Sequence, residues 1–72
     1  MVTIKVRGEH LLRVVAGRYE MTWRGWLVVI ERHRGVWSAH YAENQASDMP
    51  ALPAVRTLTL SGAVAALQRE AR

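Results

Sequence analysis

The sequence predicts an α+β domain: an antiparallel β-meander of five to six strands with one C-terminal α-helix packed on the aromatic face of the sheet. Three observations carry this expectation. Residues 1–42 alternate with a period of two, and single glycines at positions 8, 17, 25 and 35 punctuate the alternation. The end of the chain changes to helical spacing, with Leu60, Ala63, Val64, Leu67 and Ala71 falling on one stripe. Two-residue turns placed at the last three of those glycines put every aromatic residue on one side of the sheet.

At 72 residues, half of them hydrophobic and 22% charged, the chain is sized for a single folded domain over 1–72, not for a disordered segment. A domain this small buries only about 60% of the surface its unfolded chain exposes, so further stabilisation is needed. The absence of cysteine excludes disulfides and thiolate metal sites and fits a reducing, cytoplasmic setting. A second copy of the chain is the remaining staple, and a homodimer is expected. The longest apolar run, Trp26 to Ile30, is too short to cross a bilayer, and the alternating amino end does not resemble a signal peptide.

The strands are expected at 2–7, 11–16, 18–23, 26–33 and 36–42. Turns at Ala16–Gly17, Arg24–Gly25 and Arg34–Gly35 set Val14 and Ile30 opposite Tyr19, Leu12 and Val28 opposite Met21, and Trp26 opposite Trp23. They also set Arg18 opposite Glu31 and Arg32 opposite Trp37. One face then carries Tyr19, Trp23, Trp26, Trp37 and Tyr41 with Leu12, Val14, Met21, Val28 and Ile30. The first hairpin requires a three-residue loop, Gly8 to His10, to bring Ile4 and Val6 to that face.

Pro50 and Pro53 break the pattern, and residues 43–54 read as a long loop. Val55 to Leu60 reads as one more short strand, and Ser61 as the N-cap of the helix. An alanine-rich helix facing tryptophan allows two layers to interdigitate without voids. A helix of about 11 residues spans only about 16 Å, so Trp23 and Trp26, beside the Arg24–Gly25 turn, are candidates to protrude past its end.

The formal net charge of +4 lies entirely in residues 1–42, and nine of the ten basic residues are arginine. The opposite face is expected to present Lys5, Arg7, Arg13, Arg18 and several polar side chains around an aliphatic strip of Leu11, Val15, Leu27, Val29 and Val36. Arginines offer planar forks of donors to phosphate or to an acidic protein; a solvated basic face and a strip covered by Met49 and Leu52 of the long loop are the plainer alternatives. The binding candidates are Lys5, Arg7, Arg13, Arg18, Trp23, Arg24, Trp26, Leu27, Val29 and Arg34.

Catalysis is not expected. Ser38, His40 and Glu31 fall in one small area without an oxyanion hole or a buried pocket. His33 and His40 lie about 13 Å apart along the paired strands, too far to share a metal. Neither a cofactor nor a small-molecule substrate is expected.

A curved antiparallel sheet followed by one helix, with Arg56-Thr57-Leu58-Thr59-Leu60-Ser61 leading from strand to helix, resembles the layout of the single-stranded-DNA-binding transcriptional coactivators over residues 18–72. The outline is also similar to the arm-binding domains of phage integrases, which have fewer strands. These likenesses concern element order and transfer no site residues. The expected function is a non-catalytic binding module that engages an acidic macromolecular surface, nucleic acid or nucleoprotein, through its basic and aliphatic face. The alternative is a small phage or mobile-element inhibitor or adaptor, anti-CRISPR-like in kind, that blocks a protein partner.

Overall fold

The computed structural model describes residues 2–43 and 48–70. Strands β1 (Val2–Val6), β2 (Glu9–Val15), β3 (Arg18–Trp23), β4 (Trp26–His33) and β5 (Val36–Tyr41) form one antiparallel sheet in chain order, and helix α1 (Leu60–Glu70) follows. This is the predicted α+β meander.

Local backbone chemistry sets its registers. Three hairpin tips have the same construction: Arg7–Gly8, Arg24–Gly25 and Arg34–Gly35 place both residues at positive φ, with the arginines at 50°, 51° and 53°. Two left-handed residues in succession make the turn whose twist matches that of the flanking strands. Glycine adopts this conformation freely, whereas a non-glycine residue there costs roughly 1–2 kcal/mol. The turns at 24–25 and 34–35 give the expected pairs, including Tyr19 with Ile30, Trp23 with Trp26, Arg18 with Glu31 and Arg32 with Trp37.

The first two hairpins depart from expectation. Because Arg7 itself takes the left-handed conformation, the first loop has two residues instead of three, and Val6 pairs with Glu9 and Ile4 with Leu11. In the second turn Gly17 has positive φ but Ala16 does not, so a simple two-residue connection would mismatch the strand twist. A bulge between Arg13 and Val15 takes up the difference. Next to the turn Val15 pairs with Arg18, as the expected register requires, but beyond the bulge Arg13 pairs with Tyr19 and Leu12 with Glu20. Residues directly opposite share a face. Leu11 therefore enters the core, fully buried, while Leu12 takes the place on the other face expected for Leu11, and Arg13 leaves that face.

The aromatic side is the covered one. Met21, Trp23, Val28, Ile30 and Trp37 form a core with Val55, Ala63, Val64, Ala66 and Leu67, and Tyr19 and Tyr41 pack against its margin. Trp23 does not protrude. It is 3% exposed, and its indole N–H donates to the Leu67 carbonyl in the last turns of the helix at 2.7 Å. Trp26 is half-buried, edge-on to Tyr41 with centroids 6.4 Å apart.

Beyond β5 the expected sixth strand is reduced to one bridge, in which Trp37 and Thr57 exchange N–H···O bonds of 2.7 and 3.1 Å. The helix then starts at Leu60, and its cap is Thr59, not Ser61: Thr59 Oγ1 accepts from the Gly62 N–H at 2.9 Å. Gly62 sits in a close approach: a Cβ there would lie 3.0 Å from that oxygen and 3.2 Å from Thr57 Cβ, so those neighbours would have to give way. Leu52 packs on the core side, not over the aliphatic strip; residues 44–47 of that loop lie outside the described residues. No described helix is long and apolar enough to cross a membrane.

The observed register separates two adjacent leucines. Leu11→Ala is expected to lower the unfolding free energy by about 2–5 kcal/mol, and Leu12→Ala by about 1 kcal/mol or less, in urea denaturation followed by tryptophan fluorescence. The register read from the sequence gives the opposite order.

Candidate binding surface

The open face of the sheet carries Lys5, His10, Leu12, Arg18, Glu20, Leu27, Val29, Glu31, His40 and their small polar neighbours, as the strand registers dictate. With Arg13 turned to the helix side, Lys5 and Arg18 stand against Glu20 and Glu31, so the charges that the five strands give this face balance. Its aliphatic residues are unequal: Val29 is fully buried among its neighbours, whereas Leu27 is 44% and Val15 58% exposed. Glu31 forms an ion pair with Arg18 Nη1 at 3.6 Å and lies 3.4 Å from His40 Nε2, all three partly solvated. Ser38 is opposite Glu31 and exposed, so this grouping sits on an open surface without enclosure.

The excess positive charge collects at one end of the sheet. Antiparallel meandering places the Ala16–Gly17 and Arg34–Gly35 turns together at one end and the Arg7–Gly8 and Arg24–Gly25 turns at the other. Take the row Leu12, Glu20, Val29, His40 as a midline. On the Arg34 side lie Arg13, Arg18, Arg32, Arg34 and Arg56 with Glu31, and Glu20 on the midline is next to Arg18 along β3. Arg56 joins them because the Trp37–Thr57 bridge, extended by one residue, sets it beside Ser38, where it lines a shallow hollow with His33 and Val36. At the other end Lys5, Arg7 and Arg24 are joined by Glu9, and the Arg7–Gln68 contacts bring Arg69 and Glu70 of the helix to the same end. Five arginines stand here with Glu31, Glu20 lies on the midline, and Arg72 is outside the described residues.

These five arginines surround the end of the sheet. Arg18 and Arg56 lie on the open side, Arg13 and Arg32 on the helix side, and Arg34 at the tip. Arg32 is held over the Trp37 ring, 5.7 Å from its centroid, and Arg18 by Glu31. Arg13, opposite Tyr19, and Arg34 are exposed. The row runs from β2 to the segment beside β5, about 19 Å at the usual strand spacing.

Of the residues singled out from the sequence, Arg13, Arg18 and Arg34 come together here. Arg7 and Arg24 are at the opposite tips, where Arg7 Nε donates to Gln68 Oε1 at 3.3 Å and Arg24 lies over the Trp23 ring at 5.5 Å. Lys5 and Leu27 are on the open face. Trp23 and Val29 are buried and cannot touch a partner without rearrangement. Arg32 and Arg56 were missed: the first faces Trp37 in the expected register, and the second follows the charge-rich stretch in the chain. Among the described residues no group of three acidic or histidine side chains is placed to hold a metal.

No protein-family model matches the chain, and no curated protein or solved structure does. The resemblance in layout noted above therefore assigns it to no family.

Arg34 makes the tip testable for strain. Asn accepts the left-handed conformation far more readily than arginine, so Arg34→Asn is expected to raise stability by about 1 kcal/mol, which for a domain of this size lifts the melting temperature by about 4–8 °C. Calorimetry at neutral pH measures it.

Proposed function

We propose that the protein is a non-catalytic binding module whose arginine end engages the phosphate backbone of a nucleic acid, free or within a nucleoprotein complex. The observation carrying this reading is the collection of Arg13, Arg18, Arg32, Arg34 and Arg56 around one end of the sheet, with Glu31 among them and Glu20 on the midline beside Arg18. Guanidinium groups present forked donors that match phosphate oxygens, and releasing condensed counterions drives the association. The reading differs from the sequence-based expectation in location: the basic surface is an end of the sheet, not its open face.

Stacking on bases is not part of this proposal. All five aromatic residues belong to the helix side, with Trp23 and Trp37 buried and the Tyr41 hydroxyl donated to the Pro50 carbonyl at 2.7 Å. A single-strand platform needs open ring faces, so duplex should bind at least as tightly as single strand.

Fluorescence anisotropy with a labelled duplex and its component single strand tests this. Four to five phosphate contacts predict a loss of affinity of roughly 10²-fold between about 50 and 200 mM salt. Arg32→Ala and Arg34→Asn should each reduce the salt slope by about one. No binding to either oligonucleotide at the lower salt would overturn the proposal.

A second reading, a small inhibitor or adaptor that docks on a protein, is favoured by Leu27 and Val15 on the open face. Under it, Leu27→Asp abolishes capture of the partner, and the arginine substitutions leave capture unchanged.

A further inference from the structure

The two edges of the sheet are treated differently. Along β5, the outward N–H and C=O of Trp37 are taken by Thr57. Along β1, the described residues offer no equivalent cover except at one point: the Arg7 carbonyl accepts from Gln68 Nε2 at 2.8 Å. The backbone groups left bare follow from the turn. A two-residue hairpin closes with a hydrogen-bonded pair, and such pairs then alternate along the ladder. The alternation is visible in β5, which follows a turn of the same kind: the Ala42 N–H donates inward to the Leu27 carbonyl, whereas Trp37 faces out. In β1, Val6, Ile4 and Val2 therefore bond to β2, and Thr3 and Lys5 turn their N–H and C=O groups to solvent. Both side chains are exposed, and Val2 beside them is 57% exposed. The strand has no proline and no bulge, and its single lysine is its only guard against pairing.

We propose that β1 pairs with β1 of a second copy of this chain, antiparallel about a two-fold axis at Ile4. The strand Val-Thr-Ile-Lys-Val has a self-complementary pattern under that operation. Thr3 meets Lys5 of the second copy as a hydrogen-bonded pair, twice, which satisfies all four bare groups at each edge. Val2 meets Val6 and Ile4 meets Ile4, so the apolar row on the helix side continues across the axis and Val2 is covered. Each lysine faces a threonine instead of the other lysine. The same operation sets the arginine end of one copy beside the opposite end of the other, whereas a parallel arrangement would put the two arginine ends side by side. An isologous contact of this kind closes and does not propagate. Five residues of edge make a small interface of the weak class, so its dissociation constant belongs in the micromolar to millimolar range.

Sedimentation equilibrium across that range, with amide hydrogen exchange on the same samples, tests the proposal. The expected result is a monomer–dimer equilibrium in which protection of the Thr3 and Lys5 amides rises at least about tenfold as the dimer fills, since an amide closed in a ladder exchanges only on opening. Thr3→Pro removes an outward N–H that the monomer does not use and should leave a folded monomer. Should that variant fail to fold, Val2→Lys gives the same reading, because this side chain is exposed in the monomer but faces Val6 in the dimer. A monomer at millimolar concentration overturns the proposal. So does a dimer whose Thr3 and Lys5 amides exchange as in the monomer, which would place the contact elsewhere, such as on the open face.

Discussion

The rest of the structure depends on the left-handed pair at three hairpin tips. A two-residue turn fixes which residues stand opposite each other, and in a sheet with one covered face a slip of one residue exchanges the two faces of a strand. Arg24–Gly25 and Arg34–Gly35 lock β3, β4 and β5 in the register that brings Trp23, Val28, Ile30 and Trp37 under the helix. Arg7–Gly8 does the same for Ile4 and Leu11. Where the pair is incomplete, at Ala16–Gly17, the ladder shifts. That shift turns Arg13 away from the open face and so decides where the positive charge resides.

The limits of sequence reading follow from the same chemistry. Strands β3 and β5 are legible because apolar and polar residues alternate between glycines, and β4, an unbroken apolar run from Trp26 to Ile30, takes its register from the two-residue turns on either side. In β2 the doublets Leu11–Leu12 and Val14–Val15 satisfy the alternation in either register, so nothing in the local pattern separates them. The deciding fact is the φ of Ala16, which a residue name does not reveal. Arg7 was misjudged for the opposite reason: an arginine at positive φ runs against propensity, and a three-residue loop avoided it. The excess charge of the first forty-two residues was visible, but its collection at one end was not. It requires both the bulge and Arg56, brought beside Ser38 by a single bridge from a stretch whose own charges balance.

Packing of the second layer then limits what the domain can recognise. Ala63, Val64, Ala66 and Leu67 present a helix side low enough for its backbone to approach the sheet, and the Trp23 indole reaches the Leu67 carbonyl directly. Rings engaged in this way supply apolar area and a hydrogen bond to the fold, which leaves few of them free as platforms. A chain of this size cannot assign the same tryptophans to a core and to a ligand. The groups still exposed in number are guanidiniums, and under the proposed function they read charge and oxygen geometry.

The arginines at this end of the sheet act against the fold. Arg34 holds a strained backbone conformation for which glycine or asparagine would serve. It does so within a group of five like charges, where repulsion opposes the compact state. Glu31 offsets one of these charges, and the Trp37 ring steadies another. Neither the turn nor the core calls for a cation at the tip. Arg7 and Arg24 hold the same conformation at the other end, so the strain is a feature of the turns, and what sets Arg34 apart is the company of like charges; under the proposed function an anionic partner removes that repulsion and gives the guanidinium its acceptors.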